Sequence, residues 1–266
     1  MRLARLINGV FLMFGLDLRK MIRAFAGLPA FVRDLQKFRA QAKQSHTAFV
    51  FGSLYPCLDD RFQQSGSATG HYFHHDFLAA RRVFENVPGR HVDVGSRIDG
   101  FVAHVASFRP IEVIDIRPQQ ARIQNIEFIQ ADFSKPLPGH LHEYCDSASC
   151  LSAIEHFGLG RYGDPVDFNA HVTGVENLYG LLRAGGRLYF SVPIGPQRVE
   201  FNAHRVFSMA YLLSLFEERF EVDHCSFIDD RGDLHVNIDL TAEAVKANLG
   251  CQFGAVVFEL TKVAHA

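Results

Sequence analysis

Two carboxylates and a glycine turn carry the clearest chemical signal in the chain. The run His91-Val92-Asp93-Val94-Gly95-Ser96-Arg97-Ile98-Asp99-Gly100-Phe101 reads as an apolar strand that enters a tight turn and then opens an apolar, helix-like segment, residues 101–108. A helix starting directly after such a turn aims its free N–H groups and positive dipole end at whatever sits over the strand tip. An anionic or polar ligand is favoured there. Asp115 closes the next apolar run, Ile111-Glu112-Val113-Ile114-Asp115, and lies 20 residues after Gly95. At a strand tip its carboxylate can accept hydrogen bonds from both hydroxyls of a ribose. Together the two features describe a nucleoside pocket. The glycine turn alone would fit an ordinary strand-helix-strand unit equally well, and the spaced acid tips the balance toward binding.

Further along, Glu155 and His156 follow the expected fourth strand, residues 145–151. A histidine titrates near neutrality, so His156 is a candidate base or substrate contact, with a hydrogen-bonded structural histidine as the alternative. Glu155 would orient a neighbour. His71, His74, His75 and Asp76 form the densest cluster of ligand-type side chains in the chain. Three or four ligands from six consecutive residues rarely converge on one ion, so no metal is assigned. The three histidines are read as substrate or lid residues, or else as surface and capping groups. The loop Gly158-Leu159-Gly160-Arg161-Tyr162-Gly163-Asp164 offers Arg161, Tyr162 and Asp164 to a hydroxyl-rich acceptor, although a plain connection has the same composition. His204, in Asn202-Ala203-His204-Arg205, is a third source of polar groups at the same edge.

The elements that must position these groups alternate between strand and helix from His91 onward, which argues for a parallel sheet with helices on its faces. Strands are expected near 91–95, 111–116, 126–131, 145–151, 187–193, 221–227 and 254–261, the last inserted antiparallel. Helices are expected at about 77–87, 100–108, 166–183 and 208–219. Between Asp229 and Cys251 only a weak helical signal remains. The fold class is α/β, a doubly wound and mostly parallel seven-stranded sheet, with a helical N-terminal extension over 1–48 and the main domain over 49–266. The extension reads as helices broken near Gly27-Leu28-Pro29.

At 266 residues there is room for one large domain plus that extension. A net charge of -2 gives no global basic field, so nucleic acid is not indicated as a partner and a small molecule or glycan is. Five cysteines without C-x-x-C spacing fit a reduced, cytoplasmic interior. The apolar run from Leu6 to Leu16 is too short for a bilayer that needs about twenty residues, and no small-x-small cleavage site follows it, so it reads as retained. Arg and Lys interleaved with Phe make this end basic and amphipathic. It suits either a peripheral contact with anionic lipid on the inner face of the membrane, or packing on the domain or on a second subunit as a homo-oligomer.

The order of these signals resembles the class I S-adenosylmethionine-dependent methyltransferases over roughly residues 90–261. Asp93-Val94-Gly95, Asp115, Gln130-Ala131-Asp132-Phe133, Asp146 through Glu155-His156, and Ala184-Gly185-Gly186-Arg187-Leu188 follow one another as that family's motifs do. More narrowly, His71-Tyr72-Phe73-His74-His75-Asp76, the segment Val94–Gly100 and the segment Glu155–Asp164 are similar to an uncharacterised methyltransferase-like domain family whose bacterial members are associated with surface-polysaccharide synthesis. The resemblance implies S-adenosylmethionine as cofactor. It places Gly95 and the backbone of Ser96 under the methionine portion, Asp115 on the ribose, Asp132 and Phe133 beside the adenine, and Cys150 and Leu151 along the same pocket, and it counts Asp93, Asp99 and Gly100 among the cofactor-binding residues. The chain departs from the pattern where the usual loop repeats glycine. Arg97 and Asp99 stand there, and their side chains either crowd the cofactor or, through Asp99, hold its ammonium.

The leading functional reading is O-methylation of a sugar in a surface polysaccharide or its precursor, with a glycan or nucleotide-sugar as acceptor. Two other classes compete. A nucleotide-dependent oxidoreductase using NAD shares the turn and the spaced acid, but Gly-x-Gly-x-x-Gly is absent. A non-catalytic, degenerate nucleotide-binding protein is suggested by Arg97 and Asp99.

Overall fold

The computed structural model describes residues 10–46, 49–66 and 68–264. The chain divides into two compact units between Ser67 and Ala68.

The N-terminal unit is built on one helix, α1 (Leu18–Ala42), whose first turn is capped by the Asp17 carboxylate accepting from the N–H groups of Arg19 and Lys20. The expected break at Gly27-Leu28-Pro29 does not occur, and Pro29 lies inside the helix. Proline there removes one donor, but Phe25 and Pro29 are both exposed, so the stranded carbonyl can be hydrated. Gly27 serves a close approach: a Cβ there would lie 1.8 Å from the carbonyl oxygen of Leu58. Residues 49–66, expected to open the main domain, group with this helix instead. Phe51 packs edge-on against Phe38 at 5.9 Å between ring centres, and Arg61 pairs with Asp34 at 3.3 Å.

In the second unit α2 (His71–Asn86) precedes β1 (His91–Val94), and a wide turn over Ile98–Val102 leads to α3 (Ala103–Ala106). Then follow β2 (Ile111–Asp115), β3 (Ile126–Gln130), β4 (Cys145–Leu151), α4 (Ala170–Leu181), β5 (Leu182–Ile194), β6 (Arg198–Glu200), β7 (His204–Val206), α5 (Met209–Phe216), β8 (Phe220–Ile228), β9 (Leu234–His235), α6 (Ala242–Lys246) and β10 (Gly254–Lys262). The main sheet runs β3-β2-β1-β4-β5-β10-β8-β9. Strands β3 through β5 pair in parallel, and β10 lies antiparallel between β5 and β8 as its position at the chain end suggested. The seven expected strands are present, with the two-residue β9 added at the edge from the stretch after Asp229. The hairpin β6–β7 was not anticipated; Arg198-Val199-Glu200 is too short for its alternation to register.

Alternation along each strand feeds two cores. Val92 and Val94 of β1, Ile114 of β2 and Leu188, Phe190 and Val192 of β5 face Val175 and Leu178 of α4. Ile111 and Val113 of β2 and Tyr189 of β5 face Ala79 and Val83 of α2 and Val105 of α3. Both faces of a parallel sheet are thereby covered, as burial of its strands requires. Chain order reverses between β1 and β4, from which successive strands step outward in opposite directions. Ligand crevices of open α/β sheets form at such a point, outside the carboxyl ends of the strands.

Candidate functional site

A cavity of about 450 Å³ opens at that switch point. The turn after β1 forms its floor. Gly95 takes φ +75°, and a Cβ there would come within 2.8 Å of the Ala153 Cβ. The floor is held from beneath by Asp93, which is fully buried and accepts from Ser96 N–H (3.0 Å), Ser96 Oγ (2.6 Å) and Ser149 Oγ (2.6 Å). Burial lifts its carboxyl to about 7, a rise that the three hydrogen bonds only partly offset. Asp93 therefore supports the turn rather than facing the cavity.

The expected helix start is absent. Arg97 is extended, Gly100 has non-helical angles, and a regular helix begins only at Ala103 and runs four residues. A Cβ at Gly100 would come within 2.3 Å of the Asp76 carboxylate, so α2 presses on this point and bends the chain away from a helical entry. The attraction for anions at a clean helix N-terminus thus loses its structural basis here.

Of the residues singled out in the sequence, Gly95, Ser96, Asp99, Asp115, Asp132, Phe133, His156, Arg161, Tyr162 and Asp164 line this cavity together. Leu151 lies in the core, its N–H donating to Ser96 Oγ, and Cys150 is fully buried with its thiol raised well above its ordinary value by burial. Gly100, His71, His74, His75, Glu155 and His204 also fall outside the lining. His71, His74 and His75 open α2, with His75 one turn beyond His71 on the same side of the helix. His75 is buried against Ser191 Oγ at 2.9 Å, while His71 and His204 pack against the Phe253 ring. Among the described residues no three His, Cys, Asp or Glu side chains are arranged to hold a metal ion.

Two arginines that the sequence reading did not weigh as binding groups shape the cavity. Arg117 grips Asp115 with Nη2–Oδ2 at 2.5 Å and Nε–Oδ1 at 3.0 Å, and its backbone N–H adds a third contact at 2.8 Å. A carboxylate has about four acceptor directions, so one edge of Asp115 remains for a ribose hydroxyl. Arg97 is turned onto Asp99 in the same bidentate manner, at 2.9 and 2.6 Å. That pair is exposed, and both residues line the cavity. The signal for Arg117 was its place two residues after the strand-end acid, within reach of the same carboxylate.

The opposite wall is made by residues 152–164. His156 Nδ1 lies 2.7 Å from the Ala203 carbonyl oxygen. A carbonyl only accepts, so Nδ1 carries the proton and Nε2 keeps its lone pair. Burial lowers His156 to about 4, which leaves the ring neutral at physiological pH. Glu155 Oε1 stands 3.8 Å from His156 Nε2, and Oε2 is buried without a hydrogen-bond partner. Burial raises Glu155 to about 8, so it is mostly protonated at neutral pH. The segment is pinned rather than loose: Asp164 accepts from the N–H groups of Gly160 and Tyr162, and the buried Arg205 of β7 donates to carbonyls of Phe157 and Phe168. Arg161 and Arg117 both lie over the Tyr162 ring, at 5.2 and 4.8 Å.

Sheet order and crevice define a class I methyltransferase-like fold. The chain belongs to the family described as "Caenorhabditis protein of unknown function, DUF268", whose model matches residues 105–257. Among solved structures it is similar to the 1,6-didemethyltoxoflavin-N1-methyltransferase of Burkholderia thailandensis, crystallised with 1,6-didemethyltoxoflavin and S-adenosylhomocysteine. The TM-score is 0.50 at 17% identity, over 71% of this chain and 79% of that one. It is also similar to the N-methyltransferase NodS of Bradyrhizobium japonicum WM9 in complex with S-adenosylhomocysteine, with TM-score 0.49 and 12% identity over 73% and 88% of the two chains. No curated protein matches the sequence. At this distance the likeness is one of fold, and function must be argued from the site.

Proposed function

We propose that the second unit binds S-adenosylmethionine in this cavity and transfers its methyl group to a hydroxyl of a sugar, in a surface polysaccharide or its precursor. The observation that carries the reading is the cavity itself. A positive-φ glycine floors it where a Cβ would intrude, and the acids Asp115 and Asp132 stand at its border. Gly95 and Ser96 would lie under the methionine portion, Asp115 would take the ribose, and Asp132 with Phe133 would flank the adenine. A bound sulfonium supplies an electrophilic methyl group, so the chain's own work is alignment and proton removal. Arg161 and Tyr162 on the facing wall suit a hydroxyl-rich acceptor.

Titration of the folded chain with S-adenosylmethionine, S-adenosylhomocysteine and NAD tests the donor. Heat is expected with the first two and not with NAD. Asp115→Ala should weaken binding about tenfold or more, the usual loss for a hydrogen bond to a charged group. No heat with any of the three would overturn the proposal. It would favour the non-catalytic reading, to which the Arg117 clasp on Asp115 lends the most support.

Within this reading His156 Nε2 accepts the hydroxyl proton, and Glu155 is a positioning residue. A protonated Glu155 cannot stabilise an imidazolium, whereas an ionised one 3.8 Å away can. Turnover should therefore rise with pH through about 8, and Glu155→Gln should flatten that rise. His156→Ala should lower kcat at every pH. A wild-type profile that survives Glu155→Gln unchanged removes Glu155 from the mechanism, and unchanged turnover in His156→Ala removes His156. Stability gives an independent readout. Glu155 has a raised folded pKa, so its contribution is complete below about 4.5 and is lost as pH climbs to about 8, at roughly 1.4 kcal/mol per pH unit. Glu155→Gln should abolish that slope in thermal unfolding. His156, with a lowered pKa, acts oppositely: its contribution is present above 6.5 and lost as pH falls toward 4.

A further inference from the structure

Helix α1 carries two apolar faces. One, through Gly27, Ala30, Phe31 and Leu35, meets residues 51–61 of its own unit and is buried or half-buried. The other is formed by Met21, Ile22, Phe25, Leu28 and Val32, spaced three and four residues apart along an arc of roughly 120° at 100° per residue. It is bare. Ile22 and Phe25 are 69% and 72% exposed, and the apolar run just before the helix continues the display with Met13 at 83% and Phe14 at 78%. Scattered apolar exposure needs no explanation, but a contiguous stripe on one helix face does.

The charges beside the stripe are of one sign. Arg19, Arg23, Arg33 and Lys37 fall along one flank of the helix, and the only acids between residues 10 and 46 are Asp17 and Asp34. Both acids are engaged: Asp17 caps the helix, and Asp34 accepts from Arg33 and Arg61. Among the described residues no carboxylate pairs with Arg19, Arg23 or Lys37, which leaves uncompensated positive charge beside the apolar stripe. A helix of this kind lies in the plane of a bilayer, its apolar face among the upper acyl chains and its cations on anionic headgroups. Among the described residues no helix is long and apolar enough to cross a membrane, so the contact would be peripheral.

We infer that α1 is a docking surface for an anionic lipid bilayer, with Ile22 and Phe25 inserting and Arg19 and Arg23 contacting headgroups. The residues of this site belong to the first unit and those of the cavity proposed for methyl transfer to the second, and its test does not depend on catalysis.

The full 266-residue chain is co-sedimented with vesicles of pure phosphatidylcholine and with vesicles in which about a third of the lipid is phosphatidylglycerol. Binding is expected to the anionic vesicles and to be much weaker with phosphatidylcholine alone. It should fall as salt is raised from 0.05 to 0.5 M. Arg19→Gln with Arg23→Gln should reduce affinity about fivefold for each cation removed, and Ile22→Glu with Phe25→Glu should abolish it. Both positions are exposed, and circular dichroism with thermal unfolding verifies that the doubly substituted chains remain folded; Ile22→Gln with Phe25→Gln provides a gentler pair with the same expected loss. Absence of binding to anionic vesicles at low salt overturns the inference. So does binding that is indifferent to the Ile22 and Phe25 substitutions. So does a wild-type dimer in light scattering that becomes monomeric on those substitutions while neither form binds vesicles, since a second copy would then be the occupant of the stripe.

Discussion

Gly95→Val is expected to abolish donor binding, with a loss of at least a hundredfold in titration and no methyl transfer. Two costs meet at this position. A β-branched residue at φ +75° is strained by more than the 1–2 kcal/mol that an ordinary side chain pays for a left-handed conformation. Its Cβ would also stand 2.8 Å from the Ala153 Cβ, a contact that forces the floor or the facing wall to move. The two can be separated. Gly95→Ala with Ala153→Gly removes the clash and keeps the strain, so partial recovery of thermal stability over Gly95→Ala alone measures the contact. Donor binding should not recover with it, because the new methyl still occupies the cradle. A folded Gly95→Ala variant that binds S-adenosylmethionine as the wild type does would show that the turn does not lie beneath the donor.

That turn was legible because its signal is local. Val92, Asp93 and Val94 followed by Gly95, and an acid closing the next strand, leave few other arrangements open, and the sheet put both at one edge. The strands were legible for a related reason. Strands buried on both faces are dominated by apolar residues, as in Leu188-Tyr189-Phe190 of β5, and the terminal position of β10 hinted at its reversal. The failures have a common origin in contacts between residues far apart in sequence. Nothing near Gly100 announces that Asp76 presses on it and delays α3. Pro29 is tolerated because the carbonyl it strands is exposed, while Gly27 admits Leu58; a reading of Gly-Leu-Pro as a breaker has access to neither fact. The histidine cluster looked like one chemical unit because its members are adjacent in sequence. Tertiary packing of α2 then puts His75 against Ser191 and His71 against Phe253, outside the cavity lining. Conversely, Arg117 was overlooked although it is adjacent to the acid it neutralises, since a lone arginine in a loop has no pattern to mark it.

Arg205 is the clearest case of a residue whose importance comes from long-range contacts alone, and Arg205→Ala should be the most damaging single change outside the cavity floor. The side chain is 5% exposed, and its guanidinium donates to main-chain carbonyls at four points: Phe157 at 2.5 Å, Phe168 at 3.0 Å, Glu155 at 3.4 Å and Asp167 at 3.5 Å. These belong to the two ends of the segment that carries His156, Arg161, Tyr162 and Asp164, so one side chain on β7 fixes the separation of those ends. Truncation strands several carbonyls in a site poorly reached by water, at about 1–3 kcal/mol for each one left unpaired. A loss of several kcal/mol in stability is expected, read as a fall of ten degrees or more in thermal midpoint. The kinetic effect should be lopsided. The floor and Asp115 lie on β1 and β2, away from Arg205, so the affinity for S-adenosylhomocysteine in chain that remains folded should change little. In the proposed reaction the wall facing the acceptor loses its anchor, and kcat/KM for the acceptor should drop about a hundredfold through misplacement of His156. Arg205→Lys keeps the charge but offers one compact ammonium where a planar fork spans two backbone segments, so it should restore stability only in part and turnover less. Equal losses in donor affinity and acceptor turnover would mean that residues 155–168 support the whole crevice, and an unchanged thermal midpoint in Arg205→Ala would mean that the segment holds itself.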